Sequence, residues 1–165
     1  MRKGLDIVVM LISIVLFIGL ILVNIAALRA DDVVNLKEIG AEADERNLPI
    51  MLLFVDSDCD DCVTITEEII EPMIISGDYK NKIIIQYINL DEDKIIDFNG
   101  KESNADRIAN RYNLELTPTV SFVNDKGIEF VEPISGMSNL DYYGSLLDES
   151  IDKALRKLRD INRSN

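Results

Sequence analysis

The chain has 165 residues and a formal net charge of −13, because 30 aspartates and glutamates outnumber 17 lysines and arginines. It contains no histidine, which excludes the common zinc sites and the histidine-based nucleophilic triads. The acidic excess disfavours nucleic acid and anionic membrane surfaces as partners, and solubility is the simplest explanation for it.

The N-terminal segment is a nearly uninterrupted apolar run from Ile7 to Leu28, with two basic residues shortly before it. Its 22 residues are enough to span a bilayer. The run is longer than the usual hydrophobic core of a signal peptide, and no clean cleavage site follows it. We therefore favour an uncleaved transmembrane anchor over a cleaved signal for residues 1–30. In both cases residues 31–165, expected to form one domain, would lie on the periplasmic or extracytoplasmic side.

The first half of the remaining chain predicts two helices and two strands. Apolar spacing of i, i+3, i+4 and i+7 predicts an amphipathic helix over residues 35–47. The continuous apolar run from Ile50 to Val55 then predicts a strand buried on both faces. A second helix is expected over about residues 59–75, where Pro72 should kink or break it because proline lacks a backbone donor. The isoleucine-rich run from Ile83 to Leu90 predicts the second strand.

The second half predicts a polar excursion, a short helix, a β-hairpin and a long amphipathic helix. The excursion can hold a small hairpin around residues 95–98, and the polar tail after Arg159 is expected to fray. This order of elements predicts an α/β protein with a central mixed sheet and helices on both faces. The polar excursion is expected at residues 91–104, the short helix at 105–112, the β-hairpin at 120–131 and the long helix at 140–158.

The two cysteines of the chain, Cys59 and Cys62, lie three residues apart between the first buried strand and the helix that follows. A helix N-terminus presents unpaired N–H groups and a partial positive charge, and both stabilise an attacking thiolate. The spacing also lets the second sulfur reach the first and close a disulfide. The pair is therefore the candidate catalytic site of a thiol–disulfide exchange protein.

Three features together resemble the thioredoxin fold: the Cys-x-x-Cys motif between a strand and a helix, Thr117-Pro118 before a strand, and Gly136 before the last helix. The resemblance covers roughly residues 35–158. The long insert before Ala105 and the Thr-Pro-Thr element most resemble exported thioredoxin-related proteins of the SoxW type.

This resemblance implies roles for the site residues. Cys59 would be the exposed attacking cysteine and Cys62 the resolving one. Pro118 would follow a cis peptide bond, and the Thr117 backbone beside it would bind the substrate chain. No cofactor or metal is implied. The implied partners are a disulfide-containing protein or small molecule and a membrane electron donor, with the N-terminal helix as the only membrane contact.

The chain departs from thioredoxins at two points. Thioredoxins have an aromatic residue before the first cysteine and Gly-Pro between the two, whereas aspartates occupy all three positions here. Thioredoxins also bury an acid six residues before the first cysteine, where this chain has Leu53. The proton acceptor of the resolving thiol is therefore missing unless Asp56 or Glu67 replaces it.

The aspartates at the motif, Asp58, Asp60 and Asp61, bear on the direction of the reaction. A charge about 6 Å from Cys59 costs the thiolate roughly 0.7 kcal/mol in a water-like dielectric. The helix N-terminus stabilises the thiolate by about 0.3–1 kcal/mol, so the aspartates offset it. Because the reduced form gains little stability, we expect a reducing couple and hence a reductase.

Two alternatives stay open. The first is a non-enzymatic thioredoxin-fold binding module with a structural or vestigial disulfide, although so small a loop stabilises the fold only slightly. The second is calcium binding, because Asp56 to Glu67 match the oxygen-donor spacing of a calcium loop. Asp61 stands where that loop needs glycine, and a strand precedes the segment instead of a helix, which disfavours this alternative.

Overall fold

The computed structural model describes residues 33–164. The predicted anchor or signal over residues 1–30, and the domain boundary after it, lie outside the described residues. No helix within residues 33–164 is long and apolar enough to cross a membrane. The elements are, in order, β1 (Val34–Asn35), α1 (Leu36–Arg46), β2 (Ile50–Val55), α2 (Asp60–Ile65), a π-helical segment (Thr66–Ile70), α3 (Glu71–Ser76), β3 (Ile84–Asn89), β4 (Ile95–Ile96), β5 (Glu102–Ser103), α4 (Ala105–Arg111), β6 (Thr119–Val123), β7 (Glu129–Ser135) and α5 (Leu140–Ser164).

The strands form two sheets, the central mixed sheet that the sequence predicts and a smaller one that contains the hairpin of the polar excursion. The larger sheet has the order β3-β2-β6-β7, in which β2 pairs in parallel with β3 and antiparallel with β6. Strands β6 and β7 form the antiparallel hairpin that the sequence predicts. The polar excursion contributes a hairpin of β4 and β5, and β1 joins it in parallel to make the second, smaller sheet.

Strand β2 is the centre of the core and is buried on both faces, as its apolar run predicts. Because successive side chains of a strand point to opposite faces, β2 contributes to two apolar clusters. Met51 and Leu53 pack with residues of the helices from α2 to α3 and with α5. Ile50, Leu52 and Phe54 pack with α1 and α4. Helices therefore cover both faces of the larger sheet, as predicted.

The helix that follows the cysteines continues past Pro72 to Ser76, so of the two predicted outcomes the break does not occur and the kink stays a prediction. The hydrogen-bond pattern does change just before the proline. In the π-helical segment the backbone N–H of Glu71 bonds to the carbonyl of Thr66, five residues earlier. Pro72 then lies in the first turn of α3, after this wider turn. A π-helical turn changes the hydrogen-bond register by one residue, which lets a helix accommodate a position without a backbone donor.

Helix α5 extends to Ser164 and does not end near Arg159 as expected. The amide of Asn162 donates a hydrogen bond to the side-chain oxygen of Asn47, 2.6 Å away, and this contact fixes the end of the helix against the end of α1. The apolar face of α5 is the one predicted from its spacing. Its buried residues are Tyr143, Leu147, Ile151, Ala154, Leu155 and Leu158.

Candidate redox site

Cys59 and Cys62 form a disulfide, with an S–S distance of 2.09 Å and a Cα–Cα distance of 5.2 Å. Cys59 is the N-cap of α2, and its Sγ atom accepts a hydrogen bond from the backbone N–H of Cys62 at 3.0 Å. Its carbonyl accepts bonds from the N–H groups of Cys62 and Val63. The first sulfur therefore lies at a helix N-terminus, where the sequence places it.

The two cysteines differ in exposure. Cys62 is buried, with 3% of its surface exposed, and it lies on the core side of α2. Cys59 is half-buried. Cys59 is therefore the sulfur that an incoming molecule reaches more easily.

The sheet brings the Thr-Pro element close to the disulfide, at the edge of the sheet where β2 ends and β6 begins. Strand β6 runs antiparallel to β2, with Thr119 opposite Phe54, so the start of β6 lies beside the end of β2. The peptide bond between Thr117 and Pro118 is cis, as the resemblance implies. Pro118 is buried and Thr117 half-buried.

Two hydrogen bonds hold this cis segment in place. The hydroxyl of Thr119 donates to the carbonyl of Leu116 at 2.7 Å. The backbone N–H of Gly136, which follows β7, donates to the carbonyl of Pro118 at 2.8 Å. Gly136 has a φ of 71°, a backbone conformation that favours glycine. All three residues that carried the resemblance beyond the cysteines therefore lie at one edge of the sheet.

The loop between β2 and α2 is stabilised by acidic side chains. Asp56 accepts a hydrogen bond from the backbone N–H of Asp58 at 3.0 Å. Asp91, in the loop after β3, accepts one from the N–H of Ser57 at 3.2 Å. In the sequence Asp91 is only the first residue of the polar excursion. The pairing of β2 with β3, which places Val55 opposite Asn89, brings it beside Ser57.

A cleft of about 250 Å³ opens beside Cys62, and Asp56, Glu67 and Glu71 are among the residues that line it. Leu53, at the position of the acid in thioredoxins, is fully buried in the apolar core. Among residues 33–164, Asp97 in the β4–β5 hairpin is the one acidic residue that is buried. The two acids suggested as replacements, Asp56 and Glu67, therefore share a solvent-open cleft with Cys62 and are not buried beside it.

Val63 and Glu71 also line the cleft, and the sequence pattern alone did not single them out. Both lie about one helical turn from Glu67, and this spacing is the signal that could have identified them. Tyr87, on β3, lies near this face. Burial raises the pKa of Tyr87, and the charge of Glu71 raises it further, against an opposing hydrogen bond from Thr66.

The calcium alternative conflicts with the backbone of the segment. Residues from Asp60 to Glu67 are helical, whereas a calcium loop wraps its oxygen donors around the ion. Among the described residues no group of three or more histidine, cysteine or acidic side chains is arranged to hold a metal ion.

Comparison with known proteins identifies the family. Residues 36–150 match the model of the thioredoxin-like domain. This match covers more than half of the chain, so the protein belongs to the thioredoxin-like family. No curated protein matches the chain.

Three solved structures are similar to this chain, and the first of them, with a TM-score of 0.50, supports the fold. The thioredoxin of Fasciola hepatica is 19% identical, with a TM-score of 0.50 over 74% of this chain and 96% of that one. Oxidised thioredoxin O2 of Arabidopsis thaliana is 20% identical, with a TM-score of 0.42 over 70% and 91% of the two chains. An uncharacterised thioredoxin-like protein of Clostridium perfringens is 20% identical, with a TM-score of 0.43 over 62% and 71%.

Proposed function

We propose that this protein is an extracytoplasmic thiol–disulfide oxidoreductase that reduces disulfides of a protein or small-molecule substrate, in the manner of the SoxW-type branch of its family. The observation that carries the proposal is the position of the Cys59–Cys62 disulfide, at the N-terminus of α2 with the first sulfur accessible and the second buried. The position of Thr117 and Pro118 directly before β6, whose start lies beside the end of β2, supports it.

The reduction proceeds in two exchange steps. The Cys59 thiolate attacks one sulfur of the substrate disulfide, forms a mixed disulfide and releases the other substrate sulfur as a thiolate. The Cys62 thiolate then attacks Sγ of Cys59, closes the Cys59–Cys62 disulfide and releases the second substrate thiolate. The substrate gains two electrons and two protons, and a membrane dithiol donor returns the pair to its reduced form.

Thr117 and Pro118 form the substrate-binding segment of this proposal. The backbone of Thr117 lies next to the cis bond, at the start of β6, and it is only half-buried. A substrate chain that extends along this edge can bond to it as an added strand does, which would align the substrate disulfide with Cys59.

The reducing direction rests on the charges near Cys59. Asp60 and Asp61 occupy the first turn of α2 and are exposed, as is Asp58. Three negative charges disfavour the thiolate that the helix N-terminus favours, so the reduced pair gives up electrons readily.

The proposed location rests on the N-terminal apolar run from Ile7 to Leu28 and its basic flank. In this proposal residues 1–30 anchor the protein in the membrane, or serve as a signal, and residues 31–165 form the exported domain.

The test compares disulfide reduction by the wild type with that by Cys59→Ser and Cys62→Ser, using insulin as substrate and a dithiol as donor. We expect both variants to lose turnover, and Cys62→Ser alone to accumulate a mixed disulfide that is visible by mass spectrometry. Equal rates for the wild type and Cys59→Ser would instead support a binding module in which the disulfide is structural.

A further inference from the structure

The cleft beside Cys62 combines an apolar wall with three carboxylates. We propose that it binds a lysine or arginine side chain of the substrate next to the disulfide under reduction, so that cationic substrates are preferred. This inference rests on the function proposed above and adds a substrate class to it.

The lining of the cleft suits such a side chain. Val55 and Val63 are apolar, and Val63 is 52% exposed although it lies on a helix that packs against the core. Lysine and arginine have long apolar stems that cover this kind of surface while the charged end stays near solvent. Asp56, Glu67 and Glu71 offer oxygen acceptors for that charged end.

The carboxylates of the cleft have no cationic partner inside the described protein. Within residues 33–164 none of the ion pairs involves Asp56, Glu67 or Glu71. The neighbouring sequence offers none either, because residues 47–79 contain eight acidic residues and no lysine or arginine. Much of the acidic excess of the chain thus lies in the segment that contains the disulfide, and a cation supplied by a partner would complement it.

The position of the cleft connects it to the reaction. Cys62 forms part of its wall, and Cys59 is three residues earlier at the start of the same helix. A substrate sulfur bonded to Cys59 therefore brings the residues that flank the substrate cysteine to the mouth of the cleft. The uncompensated charge also attracts a cationic chain from a distance, which raises the association rate at low ionic strength.

The test uses two disulfide-linked peptides that are identical except that lysines flank the cysteines in one and norleucines in the other. We expect the wild type to reduce the lysine peptide with a kcat/KM about three- to tenfold higher than the norleucine peptide, from a few exposed charge pairs. The preference should shrink as salt is raised from 20 to 500 mM.

The variant pair Glu67→Gln with Glu71→Gln should remove most of the preference, so that the ratio of kcat/KM for the lysine peptide to that for the norleucine peptide falls towards one. The matched control is Asp44→Asn with Glu45→Gln, which removes the same charge from exposed positions on α1, on the opposite face of the sheet. Equal rates for both peptides would overturn the proposal, as would a control variant that loses the preference to the same extent.

A second measurement separates this proposal from the redox function. Peptides with serine in place of cysteine, with lysine or norleucine flanks, are titrated into the oxidised protein, and the amide signals of residues 55–71 are followed by NMR. Tighter binding of the lysine peptide, lost in the Glu67→Gln, Glu71→Gln variant, supports the cleft proposal even if neither disulfide peptide is reduced. Equal binding of the two peptides contradicts it whether or not the protein is a reductase.

Discussion

At the scale of single residues, the two cysteines are the same residue type but differ in solvent exposure in the folded protein. The helix makes the difference, because an N-cap residue lies outside the first turn whereas the residue three positions later faces inward. Cys59 therefore keeps access to solvent and Cys62 loses it. Two-step exchange requires that Cys59 can form a mixed disulfide and that the sulfur of Cys62 is close enough to attack it.

Replacing Asp58, Asp60 and Asp61 with asparagine should raise the reduction potential of the cysteine pair. Each aspartate opposes the Cys59 thiolate by at most about 0.7 kcal/mol, and salt screening reduces this further. Because about 1.4 kcal/mol corresponds to about 30 mV for a two-electron couple, we expect an increase of about 10–40 mV. Equilibration with glutathione buffers measures it. An unchanged potential would show that these charges do not set the direction of the reaction.

Asp97 is a buried carboxylate that should stabilise the fold in a pH-dependent manner. The pKa of Asp97 is lowered chiefly by the hydrogen bond from the backbone N–H of Lys101, with further contributions from Asn99 and from the charge of Arg111. Those N–H groups lie 2.9 and 2.8 Å from Oδ1. A lowered pKa in the folded state means that the stabilisation is present above the unfolded value near 4 and is lost as the pH falls through the folded value.

Asp97→Asn should therefore lower the free energy of unfolding by about 1–3 kcal/mol at pH 7, because it removes charge-assisted bonds from a buried site. The difference from the wild type should shrink below about pH 4. Urea unfolding at several pH values measures both. Asp93→Asn, at an exposed position shortly before β4, serves as the control and should change stability by less than about 0.5 kcal/mol.

At the scale of elements, helix α1 depends on a close contact with the turn between β6 and β7. A methyl group on Gly40 would collide with the backbone carbonyl oxygen of Asp125, and it would also touch the ring of Phe98. Glycine is therefore required here by proximity, although it weakens the helix by about 1 kcal/mol relative to alanine.

The matched substitutions Gly40→Ala and Gly144→Ala should have opposite effects. The first introduces overpacking that costs about 1–3 kcal/mol, which exceeds the gain in helix propensity. The second lies in α5, where a methyl group would meet nothing within 4 Å, so stability should rise by about 0.4–1 kcal/mol. Thermal unfolding of both variants measures this. A stabilising Gly40→Ala would contradict the close packing of α1 on the turn.

At the scale of the whole molecule, the proposed anchor makes a prediction about location. Full-length protein expressed in a bacterial host should stay with the membrane fraction after alkaline extraction, because about 20 apolar residues suffice to span the bilayer. Its mass should be that of the uncleaved chain. After mild reduction, Cys59 should react with a membrane-impermeant maleimide in spheroplasts without lysis. Release by alkali with a shortened N-terminus would indicate a cleaved signal, and labelling only after lysis would contradict the extracytoplasmic location.

The sequence by itself determined the local features: where strands and helices run, which face of each is apolar, and that two cysteines stand at the start of a helix. Apolar periodicity and turn residues report the conformation of neighbouring residues, so these predictions were accurate to within a few positions along β2 and α1. The same locality explains why the pattern did not predict that the helix continues past Pro72 or that α5 extends beyond Arg159. The first depends on a change of hydrogen-bond register and the second on a contact with Asn47.

Only the tertiary structure decided which distant residues meet. The pairing of β6 with β2 brings Pro118 to the edge that carries the cysteines, and the loop after β3 brings Asp91 beside Ser57. The division into two sheets and the cleft beside Cys62 arise in the same way. These contacts depend on strand order and helix packing across long separations in the chain, and no pattern within a short stretch of sequence specifies them.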